Sequence, residues 1–123
     1  MLIDSNIIIY STQPAHEALR EFIRARAPAV SIISYIEVLG FHRLSETERI
    51  LLDQFFHSAE VLPLCDSVAE AAIQLRQLRR INLGDSIIAA TALVGRRALV
   101  THNVEDFSWI DGLTIIDPLE QSP

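Results

Sequence analysis

The first ten residues, MLIDSNIIIY, set the tightest limit on the fold. An acid, Asp4, interrupts an otherwise apolar run and is followed at once by Ser5 and Asn6. Burying an isolated carboxylate is very costly, so Asp4 must be paired, solvated in a cleft or bound to a cation. A continuous apolar run suits a strand buried on both faces, the kind that parallel sheets use. Two readings stay open. Residues 2–10 form one strand, or the strand stops near Asp4 and Ser5 or Asn6 opens a helical turn.

The remaining pattern alternates short apolar segments with helical periodicity. Pro14 suits the first turn of a helix. Leu19, Phe22, Ile23 and Ala27 then recur at helical spacing, with Glu17, Arg20, Glu21 and Arg24 outward, until Pro28 stops it. Residues 29–33 predict a second strand. Residues 34–41 predict a helix with Ser34 as N-cap and Glu37 three positions on, a capping box. Ser45 and Glu48 repeat that signal ahead of Ile50, Leu51 and Phe55. A third strand is expected over 60–64. Asp66 or Ser67 caps a helix to about Arg80, with Val68, Ala72, Leu75 and Leu78 inward. Asn82 or Asp85 begins another, residues 83–95, whose Ala89, Ala90 and Ala92 permit close packing. Strands over 98–101 and 113–116 flank a short turn or helix over 103–109, and Pro118 ends the ordered part. Such alternation predicts an α/β fold, a mostly parallel sheet of about five strands flanked by helices. A chain of 123 residues suits one domain, 1–123, with a flexible tail after Pro118.

Composition removes several function classes. Half of the residues are hydrophobic, which excludes a disordered chain. The single Cys65 makes neither an internal disulfide nor a zinc-site spacing, and a cytoplasmic location is expected. No apolar stretch approaches the ~18 residues of a membrane span, and the N-terminal run lacks the basic flank of a signal peptide. The net charge of −6 argues against a strongly basic nucleic-acid binder. A cluster of acids neutralised by divalent cations would remove much of that objection. All ten basic residues are arginines, a side chain suited to bidentate phosphate contact but also the product of a compositional bias.

Four acids stand at the lips of apolar segments: Asp4, Glu37, Asp85 and Asp106. Ligands of open α/β sheets bind outside the carboxyl ends of the strands, and Asp4, Glu37 and Asp106 each follow a predicted strand. Asp85 opens a helix instead, and joins them only if that helix begins at the same edge. Each acid also has a purely structural role open to it. Asp4 can bond backbone amides, Glu37 can complete its capping box, Asp85 can complement a helix dipole, and Asp106 can cap the turn before Phe107. His16, His42, His57 and His102 are scattered without a ligating pair. No Gly-x-Ser-x-Gly elbow occurs. A phosphatase built on an aspartyl nucleophile would want an acid where Asn6 stands, and a lysine, of which there is none.

The segments LIDSNIIIY, SIISYIEVLG, LGDSIIAATAL and LVTHNVEDF, in this order and spacing, resemble the PIN-domain family, and within it the VapC-type toxins of toxin–antitoxin pairs. The resemblance implies a metal-dependent ribonuclease. Asp4, Glu37, Asp85 and Asp106 would be its four acids, with Asn103 the competitor for the fourth place. Ser5, Asn6, Thr101 and Asn103 would support them. Hard carboxylate oxygens suit Mg²⁺ or Mn²⁺, and the implied reaction is hydrolysis of RNA by a metal-activated water. Gly84 stands where many relatives carry alanine, a small-for-small change expected to matter little, and His102 where many carry arginine. A VapB-like antitoxin and a homodimer are the implied partners. An inert PIN-like module and an RNA-processing nuclease outside any toxin pair are the alternatives.

Overall fold

The amino-terminal alternative resolves as a strand followed by a helix. In the computed structural model, which describes residues 1–119, strand β1 is Leu2–Ile3 and helix α1 is Ser5–Tyr10. Asp4 lies between them with extended backbone, and its carboxylate accepts the Ser5 N–H as the helix N-cap. Capping is the local reason the apolar run changes from strand to helix at this point.

Pro14 opens a short 3-10 turn, Pro14–His16, and helix α2 follows as Glu17–Arg26. It closes on Ala27 in the left-handed region (φ 43°), one residue before Pro28. Strand β2 is Ala29–Ser31 and helix α3 is Ile32–Leu39. The expected N-cap Ser34 is therefore corrected to Ser31, whose hydroxyl accepts the Ile33 N–H at 3.1 Å. Both serines are able to cap, and the sheet is so narrow that the earlier one ends the strand. Helix α4, Glu46–Ser58, has the full capping box between Ser45 and Glu48. After strand β3, Val61–Leu62, helix α5 runs Asp66–Leu78 with Cys65, not Asp66 or Ser67, at its N-cap. Leu78, expected inward, is the last residue of α5 and is exposed. Helix α6 is Leu83–Val94, capped by the Asn82 side chain. Strand β4 (Leu99–Val100), helix α7 (Val104–Phe107) and strand β5 (Ile115–Ile116) complete the order.

The five strands form one parallel sheet in the order β3-β2-β1-β4-β5. Alternate residues feed opposite faces. Leu2, Ala29 and Leu99 join Val68, Ala72, Ile88 and Phe107 from α5, α6 and α7. Ile3, Val30 and Val100 join Ile7, Leu19, Val38 and Leu52 from α1 to α4. Each fully buried Leu, Ile or Val stabilises the fold by roughly 1.5–3 kcal/mol, so the two-residue β1, central and buried on both faces, is a main anchor. The chain crosses from one side of β1 to the other between β3 and β4, which makes the β1/β4 gap the topological switch point. Among the described residues no helix is long and apolar enough to cross a membrane. The tail expected after Pro118 falls mainly on residues 120–123, outside the described residues.

Candidate active site

Asp4 leaves β1 and Thr101 leaves β4, side by side at the switch point. The Asp4 N–H donates to the Val100 carbonyl at 2.9 Å, and the Thr101 hydroxyl donates to Asp4 Oδ2 at 2.8 Å. Oδ1 takes the Ser5 N–H at 2.7 Å. Each carboxylate oxygen thus spends one lone pair on the protein and keeps the other. Asp4 is only 3 % exposed and Thr101 is fully buried.

Glu37 reaches the same edge from α3. Ser5 Oγ lies 2.8 Å from Glu37 Oε1 and 2.8 Å from the buried Ser34 Oγ. A carboxylate only accepts, so the Ser5 proton goes to Glu37. Capping therefore does not explain Glu37, which sits late in α3 with a hydrogen-bonded partner across the helix gap. Ser34, read from the sequence as a cap, is a support for this network. Its spacing of three from Glu37 on one helix face was the available signal.

Asp85 stands in the first turn of α6. Its N–H donates to Asn82 Oδ1 at 2.8 Å, and Asn82 Nδ2 donates back to Asp85 Oδ2 at 3.0 Å, which fixes the carboxylate over the helix start. Asp106 lies in α7, exposed, and is held by the buried Phe107 beside it. Asn103 contributes backbone: its N–H donates to Thr101 Oγ1 at 3.1 Å and its carbonyl accepts the Asp106 N–H at 3.1 Å. Asn6 is half-buried on α1.

The acids feel one another. Burial raises the Asp4 carboxyl above its ordinary value; hydrogen bonds from Thr101 and Ser5 oppose this, and the charges of Glu37 and Asp106 add to it. Asp85 is pushed up to about 6, first by burial and then by the charge of Asp4, with Asp106 and Glu37 adding and Asn82 opposing. Like charges drawn together in a partly dry cleft behave in this way. The donor set is oxygen throughout, the chemistry of hard dications. Among the described residues no three acids, histidines or cysteines are gathered tightly enough to enclose an ion by themselves. Asp4, Glu37, Asp85 and Asp106 are the residues that would hold such an ion, with water completing its shell.

Gly84 touches the site. A Cβ built there would lie 2.7 Å from Glu37 Oε2, the far end of a flexible side chain, so alanine at this position requires Glu37 to shift. His102 faces Asp117 at 3.1 Å, and His16 and His102 flank the Tyr10 ring.

A family model described as PIN domain matches residues 1–113. The chain belongs to the PIN-domain family. Among relatives of this PIN domain, Ribonuclease VapC10 of Mycobacterium tuberculosis is 31 % identical over 121 residues, covering 92 % of this chain and 90 % of that protein. A chain in a toxin–antitoxin complex from Klebsiella pneumoniae is 27 % identical, covers 98 % of both chains and superposes with a TM-score of 0.79. A chain of DNA-bound VapBC from Salmonella typhimurium, 24 % identical over 95 % of this chain and 96 % of that one, has a TM-score of 0.83 and supports the shared fold. The α/β architecture expected from the sequence is the PIN architecture, and the chain's place within the family is with the VapC type.

Proposed function

We propose that this PIN domain is a Mg²⁺- or Mn²⁺-dependent endoribonuclease and the toxin of a VapBC-type pair, acting on RNA in the cytoplasm. The observation that supports this reading is that the charges of Glu37 and Asp106 act on Asp4, and those of Asp4, Asp106 and Glu37 on Asp85, with both carboxyls raised beside the β1/β4 switch point. Asp4, Asp85 and Asp106 would hold the ion, and Glu37 would hold a second ion or orient water. A bound dication would lower the pKa of a water and neutralise charge on the phosphate oxygens. The chain's own part is positioning. Ser5 and Thr101 hold Asp4, Ser5 with Ser34 behind it holds Glu37, and Asn82 holds Asp85. The test is incubation with total RNA, with and without Mg²⁺, and mapping of the ends. Cleavage at defined positions is expected, lost in EDTA and in a folded Asp4→Asn variant. Equal cleavage by Asp4→Asn would sink the proposal.

The absence of a tight three-acid cluster among the described residues favours one competitor, an inert PIN-like module. Titration with Mn²⁺ separates the two, because a ligand bound only by the folded state raises the melting temperature.

Relatives in toxin–antitoxin complexes support a VapB-like antitoxin as partner. An apolar groove of about 810 Å³ between α2 and α4, lined by Ile23, Leu51 and Phe55, is a surface such a partner would cover, and none of the four acids lines it. A homodimer would use the face on which Tyr35, Ile36, Phe41 and Ile50 are exposed; Leu52 and Phe56 of the same region are core.

A further inference from the structure

The loop between α5 and α6 places Arg79 and Arg80 between two exposed leucines, Leu78 (76 % exposed) and Leu83 (61 %). It runs directly into Asn82, the residue that clamps Asp85. The Arg79 guanidinium lies over the Trp109 ring, 5.3 Å from its centroid. Trp109 Nε1 donates to the Asp106 carbonyl at 2.9 Å, so this pair is fastened to the segment that carries the fourth acid. Arg76 closes the loop from behind by donating to the Ile81 carbonyl at 3.0 Å. Arg24, Arg49 and Arg97 each face an acid. Arg79 and Arg80 face none among the described residues, in a chain whose net charge is −6. The Arg79 guanidinium and the indole are thus held together beside the segment that carries Asp106, with the exposed Arg80 next to Arg79 in the chain.

We propose that Arg79, Arg80 and Trp109 form the platform that grips a single-stranded RNA segment beside the cleavage point. This rests on the ribonuclease reading above. The acids repel the phosphodiester, so affinity must be supplied next to them. Guanidiniums match phosphate oxygens bidentately, and the outer plane of the Arg79 guanidinium, backed by the Trp109 ring that packs on the core, accepts a base of any identity. A base inside a duplex cannot reach that face, which selects an unpaired strand.

The test measures binding of a fluorescent single-stranded RNA by anisotropy, in the Asp4→Asn background and without dications so that the probe stays intact. Arg79→Gln with Arg80→Gln is expected to weaken binding about tenfold and to reduce the slope of log affinity against log salt by roughly 1.4, at about 0.7 per phosphate on a single strand. Trp109→Phe keeps a ring and most of the affinity; Trp109→Ala loses it. With Asp4 restored and Mg²⁺ present, the double arginine variant raises KM and leaves kcat near its starting value. The control pair Arg26→Gln with Arg96→Gln removes equal charge from the amino-end edge of the sheet and leaves binding unchanged. Unaltered affinity and slope in the Arg79/Arg80 variant, or an equal loss in the control, overturns the platform. Intact RNA binding with loss of a protein partner would assign the loop to docking and overturn it too. A parent protein that neither binds nor cleaves RNA overturns both readings, which separates their failures.

Discussion

Asp4 and Asp85 are acids held where charge is unwelcome, and their protonation should be visible in stability. Asp85 titrates at about 6 in the folded chain against 3.8 for the ordinary group. Between those values the folded chain keeps a proton that the unfolded chain has released. Stability from this group therefore falls as pH rises through about 6 and is level above it. In EDTA at pH 7.5 the Asp85→Asn variant should melt above the parent, and the gap should close near pH 4. An unchanged gap across that range would remove the charge-strain account of Asp85. Gly84 offers a second test at this scale. Alanine meets only the far end of a flexible Glu37, so Gly84→Ala should melt with the parent yet lose roughly ten- to a hundredfold in RNA cleavage, the cost of an ångström-scale misplacement. Shortening the acid in the same chain, Glu37→Asp, should recover part of the loss. A fully active Gly84→Ala protein would show that Glu37 has another equally good position.

At the scale of elements, the helix starts at Ser45 and Asn82 were legible, whereas the caps of α3 and α5 and the strand ends were not. Ser45 and Glu48 form the capping box that their spacing announced, and Ser45→Ala should cost about 1 kcal/mol, a drop of roughly 3–5 °C in a thermal melt. A shift below one degree would mean that the cap is redundant. The strands came out shorter than their apolar runs suggested. Residues 29–33 look alike as a hydrophobic string, yet Ile32 and Ile33 belong to α3. Leu64 is exposed beyond β3. Apolar character reports burial, not conformation, and in a sheet two or three residues deep the burial continues into the next helix. The same confusion placed Leu78 inward, because helical spacing does not say where α5 stops.

For the whole molecule, the edge on which an acid lies was legible for three of the four candidates. Asp4, Glu37 and Asp106 follow strands, and a parallel sheet sends all strand ends to one edge. Asp85 was not decidable, because two helices, α5 and α6, intervene between β3 and β4. One crossover helix fixes its own direction; two leave it open. The structure begins α6 at the carboxyl edge, where the charge of Asp4 reaches Asp85. Arg79 and Trp109 were invisible as a pair, since they stand thirty positions apart with α6, β4 and α7 between them and only the packing brings them together. The expected global consequence concerns metal. Mn²⁺ at a hundred times its Kd should add about 2.7 kcal/mol of stability, and Asp4→Asn should abolish that gain. A melting curve indifferent to millimolar Mn²⁺ would favour the inert module.

The hydrogen bond from Thr101 to Asp4 spans 97 positions of the chain. Its consequence reaches back to protein synthesis. A nascent polypeptide halted anywhere before codon 101 carries the first acid without the threonine that steadies it and without β4 to wall the cleft. The cleft is thus unfinished for most of translation and closes only once the late segment has emerged and docked.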